Sequence, residues 1–330
     1  MIETVISEKY NGRDVHLFKL ENDFISAGIL DFGGILKYFN VKTPSGMKNI
    51  VLGVESIDEY LNENNYSSAI VGRVANRIKN ATFVQNGKTY NITKNEGNHC
   101  NHGGKAGFDK KFYDYKIKDD VLTLSILSPD GDQGFAGNLK LDVEYRLDDN
   151  ELCIKFMAKS DKDTVFAPTY HPYFNLSGEG NIYDTLLKIN SQEYAVADKE
   201  NITTGEMKSV KGTMFDFSDF TPIGKGLLSD EKEIKLAGGY DHCFSVKDEY
   251  MASAYDKKTG IMMDIFSNLK GLQLYTTNVP SGQGRFFKHS AFCLEPQFFP
   301  CALNIDNFEK PILPAGKPVE YYIKYALSIK

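Results

Sequence analysis

Several features are missing from this 330-residue sequence, and each absence removes a class of function. Cysteine is sparse: Cys100, Cys153, Cys243, Cys293 and Cys301 make an odd set with no CxxC spacing. That pattern reads as free thiols in a reducing compartment, so a cytoplasmic location is expected. Cys293 and Cys301 have no histidine pair at zinc-finger spacing, and no metal is expected. No run approaches the roughly 20 apolar residues that cross a bilayer. The first residues, MIETVISEKYNGRDVHLFKL, lack the basic flank and apolar core of a signal peptide. Dense Lys/Arg runs are absent and the net charge is −6, which argues against a nucleic-acid partner. GxSxG, GxGxxG and Walker spacings are also missing, which disfavours an elbow serine hydrolase, a dinucleotide or ATP.

What is present is mostly alternation. Tryptophan is absent, but 22 Phe and 19 Tyr sit with β-branched residues in strand-like runs. In VLTLSIL (121–127), LKLDVEYRL (139–147), LCIKFMAKS (152–160) and VEYYIKYALSIK (319–330), apolar residues alternate with polar or small ones. Turn signals separate such runs at Asn86-Gly87, Asp148-Asp149-Asn150, Ser177-Gly178 and Lys258-Thr259-Gly260. YRLDDNELCI (145–154) predicts a hairpin. The best helix is short, SIDEYLNEN (56–64), with Ser56 as N-cap and Glu59 at capping-box spacing. With no repeat, linker or evident boundary, the expectation is one all-β domain over residues 1–330, a large antiparallel β-sandwich with few short helices.

Five stretches hold residues suited to chemistry. VGRVANRIKN (71–80) places Arg73 and Arg77 four apart beside Asn76, directional donors that suit a polyhydroxylated ligand, although on these residues alone a basic surface segment is the favoured reading. NHCNHGGKAGFDKKFY (98–113) has a His102-Gly103-Gly104 turn where backbone and ligand can approach closely. There His102 fits hydrogen bonding better than zinc ligation with His99. TYHPYFNLSG (169–178) carries His171, alone compatible with a packed strand-end histidine. In GGYDHCFSV (238–246), Asp241 suits two sugar hydroxyls or a strand-start turn. In AFCLEPQFFPCALN (291–304), Glu295 lies in an apolar run, where a carboxylate must be paired, hydrogen-bonded or shifted upward in pKa. An imidazole poised near neutrality and a carboxylate tuned towards it form a natural acid–base pair, His171 with Glu295.

Taken in order, VGRVANRIKN, HGG…GFDK (102–110), DGDQGFAGNL (130–139), HPYFNLSG (171–178), GYDHCF (239–244), GLQLYTTN (271–278) and CLEPQFFPCALN (293–304) resemble the aldose 1-epimerase (galactose mutarotase) family. The resemblance spans nearly the whole chain. It implies a galactose mutarotase-like supersandwich and cofactor-free interconversion of the α and β anomers of free aldohexoses such as galactose and glucose. By motif, it implies His171 as general acid and Glu295 as general base, with Asn76, Arg77, His102, Asp241 and Gln273 holding sugar hydroxyls.

The sequence departs from the family pattern beside these positions. Tyr170 and Pro172 flank the histidine, Asn101 stands where leucine commonly precedes HGG, Thr277 replaces a glycine, and Cys301 replaces an aspartate. Three alternatives stay open: a glycoside hydrolase using Asp241 and Glu295, a non-catalytic sugar binder, and an epimerase of a phosphorylated hexose. The last would want basic residues such as Lys105 or Lys110 at the pocket. The expected partner is a small sugar, with the chain a monomer or homodimer.

Overall fold

The computed structural model describes residues 2–63, 65–280 and 285–330. Three antiparallel sheets dominate it. The first is a five-stranded meander, Ile2–Tyr10, Arg13–Glu21, Ile25–Leu30, Leu36–Thr43 and Gly46–Asn49. The second has nine strands. Asp114–Lys118, Val121–Ser128, Leu139–Asp148 and Glu151–Ser160 run side by side, and Pro318–Ile329 then joins them to Ile261–Ser267, Tyr250–Tyr255, Leu186–Ile189 and Thr221–Pro222. The third orders Thr203–Ser209, Ser191–Ala197, Asp241–Val246, Gly271–Tyr275 and Cys293–Gln297.

Alternation explains how they stack. Leu122, Leu124 and Ile126, Leu139, Leu141 and Val143, and Ile323, Tyr325 and Leu327 all turn one face of the nine-stranded sheet inward. They share a core with Phe18, Ile25 and Ala27 of the first sheet and Phe244, Leu272, Leu274 and Leu294 of the third. The sandwich expected from the sequence is what forms. The hairpin forms with Asp148 opposite Glu151, and Asn86-Gly87 turns with positive φ at both residues.

The short helix, Ile57–Glu63, begins as expected: Ser56 Oγ accepts the Glu59 N–H at 3.1 Å. The return arm differs, since the Glu59 carboxylate accepts from Glu55 N–H rather than from Ser56. No helix among the described residues is long and apolar enough to cross a membrane.

VGRVANRIKN corrects the basic-surface alternative. It forms short extended pieces, Ile70–Val71 and Arg77–Ile78, with Arg73 buried between them. Arg73 is a structural pin. Its Nε donates to Ser128 Oγ (3.0 Å), Nη1 to Ala136 O (2.6 Å) and Nη2 to Ser128 O (2.9 Å) and Gly137 O (2.8 Å). Burial lowers its pKa to about 10, so it stays charged at neutrality and needs these acceptors. Lysine cannot reproduce the planar fork. Arg73→Lys is expected to cost about 2–4 kcal/mol of stability in urea unfolding, with the buried carbonyls left short of donors.

Candidate functional site

Register places the site. Asp241 pairs with Tyr275 and Tyr275 with Cys293, while Cys243 pairs with Gln273 and Gln273 with Glu295. Side chains directly opposite across antiparallel strands share a face, and the face recurs every second residue. Asp241, Gln273 and Glu295 therefore project from one side of the third sheet. Leu272, Leu274 and Leu294 project from the other into the core.

His171 arrives from a different part of the chain. Thr169–Tyr170 leads into it, and Thr169 Oγ1 donates to Pro296 O at 2.8 Å, tying this segment to the Glu295 strand. His171 Nε2 lies 3.5 Å from Glu295 Oε1, and both side chains are almost wholly buried. Tyr173 stacks beside the imidazole with ring centroids 5.2 Å apart. Tyr170, one of the departures, points away, donating through its hydroxyl to Gly34 O at 2.8 Å inside the core.

Asn76 and His102 hold each other. The Asn76 N–H donates to His102 Nδ1 (3.2 Å), and the His102 N–H donates to Asn76 O (3.1 Å). Accepting at Nδ1 leaves the ring proton on Nε2. Burial first, then the charges of His171, Arg77 and Lys110, push His102 well below the ordinary histidine value. The glycine after it is required: at φ +84° a Cβ on Gly103 would lie 1.9 Å from Gly72 O.

Arg77 bridges the two halves of the site. Its Nε and Nη2 meet Glu96 Oε2 and Oε1 at 2.6 and 3.0 Å, and Nη1 lies 3.5 Å from Asp241 Oδ2. Burial opposes its charge, but the two carboxylates outweigh burial and hold its pKa above the usual value. Asp241 in turn accepts from Gln273 Nε2 at 2.5 Å.

All seven residues expected to form the site line or adjoin one cavity of 570 Å³; Gln273 reaches it through Asp241. Sequence reasoning missed Glu96, Tyr66, Tyr173 and Tyr275, which also line it. Tyr173 and Tyr275 each stand two residues after an expected site residue, His171 in HPYF and Gln273 in LQLYT, and that spacing is the available signal. Glu96 carried none. Of the five departures, only Asn101 lines the cavity. His99 lies outside it and accepts from the Asn80 N–H through Nδ1 at 3.0 Å. Among the described residues no cluster of three His, Cys, Asp or Glu side chains is placed to hold a metal.

The site keeps unspent polar capacity. His171 Nδ1, Glu295 Oε2 and Gln273 Oε1 are buried with no protein partner among the described residues, which marks a place for a polar guest. Burial, reinforced by Asp241 and opposed by Arg77, raises Glu295 well above the usual carboxylate range. Burial lowers His171 to about 4.

The sequence pattern of the aldose 1-epimerase family matches residues 16–326. This chain belongs to that family. It is 34% identical to the galactose mutarotase of Sus scrofa over 328 residues, covering 96% of this chain and 94% of that protein. It is 31% identical to the aldose 1-epimerase of Escherichia coli K12, covering 91% of each. The crystal structure of galactose 1-epimerase from Lactobacillus acidophilus superposes with a TM-score of 0.91 at 27% identity, covering 100% of this chain and 99% of that one.

The tautomer of His102 can be checked directly. In ¹⁵N NMR its Nε2 should carry the proton, and the ring should stay neutral as the pH falls through the ordinary histidine value, because burial disfavours the imidazolium.

Proposed function

We propose that this family member is an aldose 1-epimerase that interconverts α and β anomers of free aldohexoses such as galactose and glucose, with His171 as acid and Glu295 as base. The observation that carries the roles is the buried His171–Glu295 pair at 3.5 Å, with an unpartnered atom on each side chain. Glu295 takes the proton from the anomeric hydroxyl while His171 gives one to the ring oxygen. The bond between C1 and the ring oxygen breaks, and C1 becomes an aldehyde. Rotation about C1–C2 exposes the other carbonyl face. The ring hydroxyl then closes on it, returning its proton to His171 as Glu295 reprotonates the new anomeric oxygen. No electron or group leaves the sugar, so two proton carriers suffice. Asn76, Arg77, His102, Asp241 and Gln273 hold the remaining hydroxyls so that only the C1 end turns.

Other functions fit the site less well. A hydrolase would need Asp241 as a second catalytic carboxyl, yet Asp241 is engaged by Arg77 and Gln273. For a sugar phosphate, Arg77 is the one Lys or Arg among the described cavity-lining residues. Lys110 instead meets Asp109 at 3.0 Å and lies over the Tyr66 ring, and Lys105 is exposed.

Polarimetry of freshly dissolved α-D-galactose and α-D-glucose tests the activity. Glu295→Gln and His171→Asn should each lower kcat by at least about 100-fold. A near-normal rate in Glu295→Gln removes the base assignment, and no acceleration of any free aldose by wild type leaves a sugar-binding protein.

The pH profile is a separate test. The working pair carries one proton in total, as neutral histidine with protonated glutamate or as their zwitterion. A second proton binds only as the pH nears the lowered His171 value of about 4. The single proton leaves only above the raised Glu295 value. The kcat/KM profile should therefore be a bell whose acid limb lies well below the ordinary histidine pKa, and an acid limb near about 6.5 would contradict this assignment.

A further inference from the structure

The sugar-binding arginine is held between two carboxylates, and only Asp241 belongs to the hydroxyl-binding set. The other, Glu96, grips the Nε and Nη2 edge of Arg77 at 2.6 and 3.0 Å. Its own place is fixed by Asn101, whose Nδ2 donates to Glu96 Oε1 at 3.4 Å. Asn101 is the strand partner opposite Arg77, so arginine and amide stand side by side with Glu96 across both. A leucine at position 101 would offer Glu96 no donor.

The charge balance follows from these contacts. Glu96, Asp241 and Glu295 line the cavity against the single guanidinium of Arg77. Even with Glu295 protonated, two carboxylates outnumber one cation. In a cavity of 570 Å³ any anionic group on a guest lies within about one Debye length of both. Arginine alone would invite a carboxylate or phosphate bidentately. Glu96 occupies that edge first.

We propose that Glu96, positioned by Asn101, sets the charge selectivity of this pocket: it fixes Arg77 for neutral hydroxyls and shuts out anionic sugars such as hexuronates. The inference rests on the epimerase reading and adds the substrate class. Glu96 is a positioning and specificity residue, distinct from the acid and base. Its side chain is 40% exposed, so water takes part of the effect and a factor near tenfold is expected rather than a thousandfold.

The test compares kcat/KM for D-galactose and D-galacturonate by polarimetry in wild type, Glu96→Gln and Glu96→Asp, with Glu96→Ser as a second charge-removing variant should Glu96→Gln fold poorly. Removing the charge should raise the galacturonate-to-galactose ratio about tenfold, and added salt should shrink that gain. Glu96→Asp should keep the low wild-type ratio. A loss of packing alone would lower both rates together and leave the ratio where it was. The inference is overturned if removing the charge leaves the ratio unchanged, or if Glu96→Asp raises it as far as Glu96→Gln. Failure of wild type to accelerate galactose removes the epimerase reading and this inference with it, whereas an unchanged ratio on an active enzyme removes this inference alone.

Discussion

The pairing of Gln273 with Glu295 across two antiparallel strands puts a carboxylate where water barely reaches it, on the polar side of a sheet whose other side is the core. A strand cannot slip by one residue without exchanging these faces. Moving Cys293–Gln297 by one position would drive Glu295 towards Phe244 and Leu272 and turn Leu294 into the cavity. The apolar residues between the functional ones therefore fix the register, and the register fixes the chemistry. That is why Glu295 tolerates burial: the cost of a desolvated carboxylate is set against the packing of the whole sheet rather than one contact.

His171 belongs to the same constraint although it lies on no long strand. Thr169 ties its segment to the carbonyl of Pro296, next to Glu295, so the imidazole and the carboxyl are anchored to the same strand. Their shifts run in opposite directions for one reason. Burial disfavours any net charge, lifting the carboxyl and depressing the imidazole. Burial thus favours the neutral pair, and hydroxyls of a bound sugar would ease formation of the zwitterion. Preorganised donors and acceptors at fixed positions suit such a step, since they need little rearrangement when charge develops.

Much of this was legible in the residues. Period-two alternation gave the sandwich, because one apolar face per strand must be covered by another layer. Glu295 announced itself by lying in an apolar run, and the ordered motifs supplied the set around it. Arg73 and Glu96 were misjudged or unseen for a common reason. Each is defined by partners distant in sequence, Ser128 and Gly137 for Arg73 and the Arg77 side chain, 19 residues away, for Glu96. Spacing four apart made Arg73 and Arg77 look equivalent. Short extended pieces send one into carbonyls and the other into the cavity.

The departures from the family pattern sort by the same logic. Thr277 and Cys301 both have positive φ, 47° and 57°, where a glycine or a small polar residue is most at ease. Thr277 is secured by donating its hydroxyl to Ala291 O at 2.9 Å, and the Cys301 N–H donates to Arg77 O at 2.9 Å. Local hydrogen bonds hold these conformations, and neither side chain lines the cavity. Tyr170 is spent on the core. Asn101 alone among the five lines the cavity, where it donates to the carboxylate that holds Arg77. A change at position 101 therefore has a short route into the cavity, from the residue before the His102 turn to the edge of an arginine.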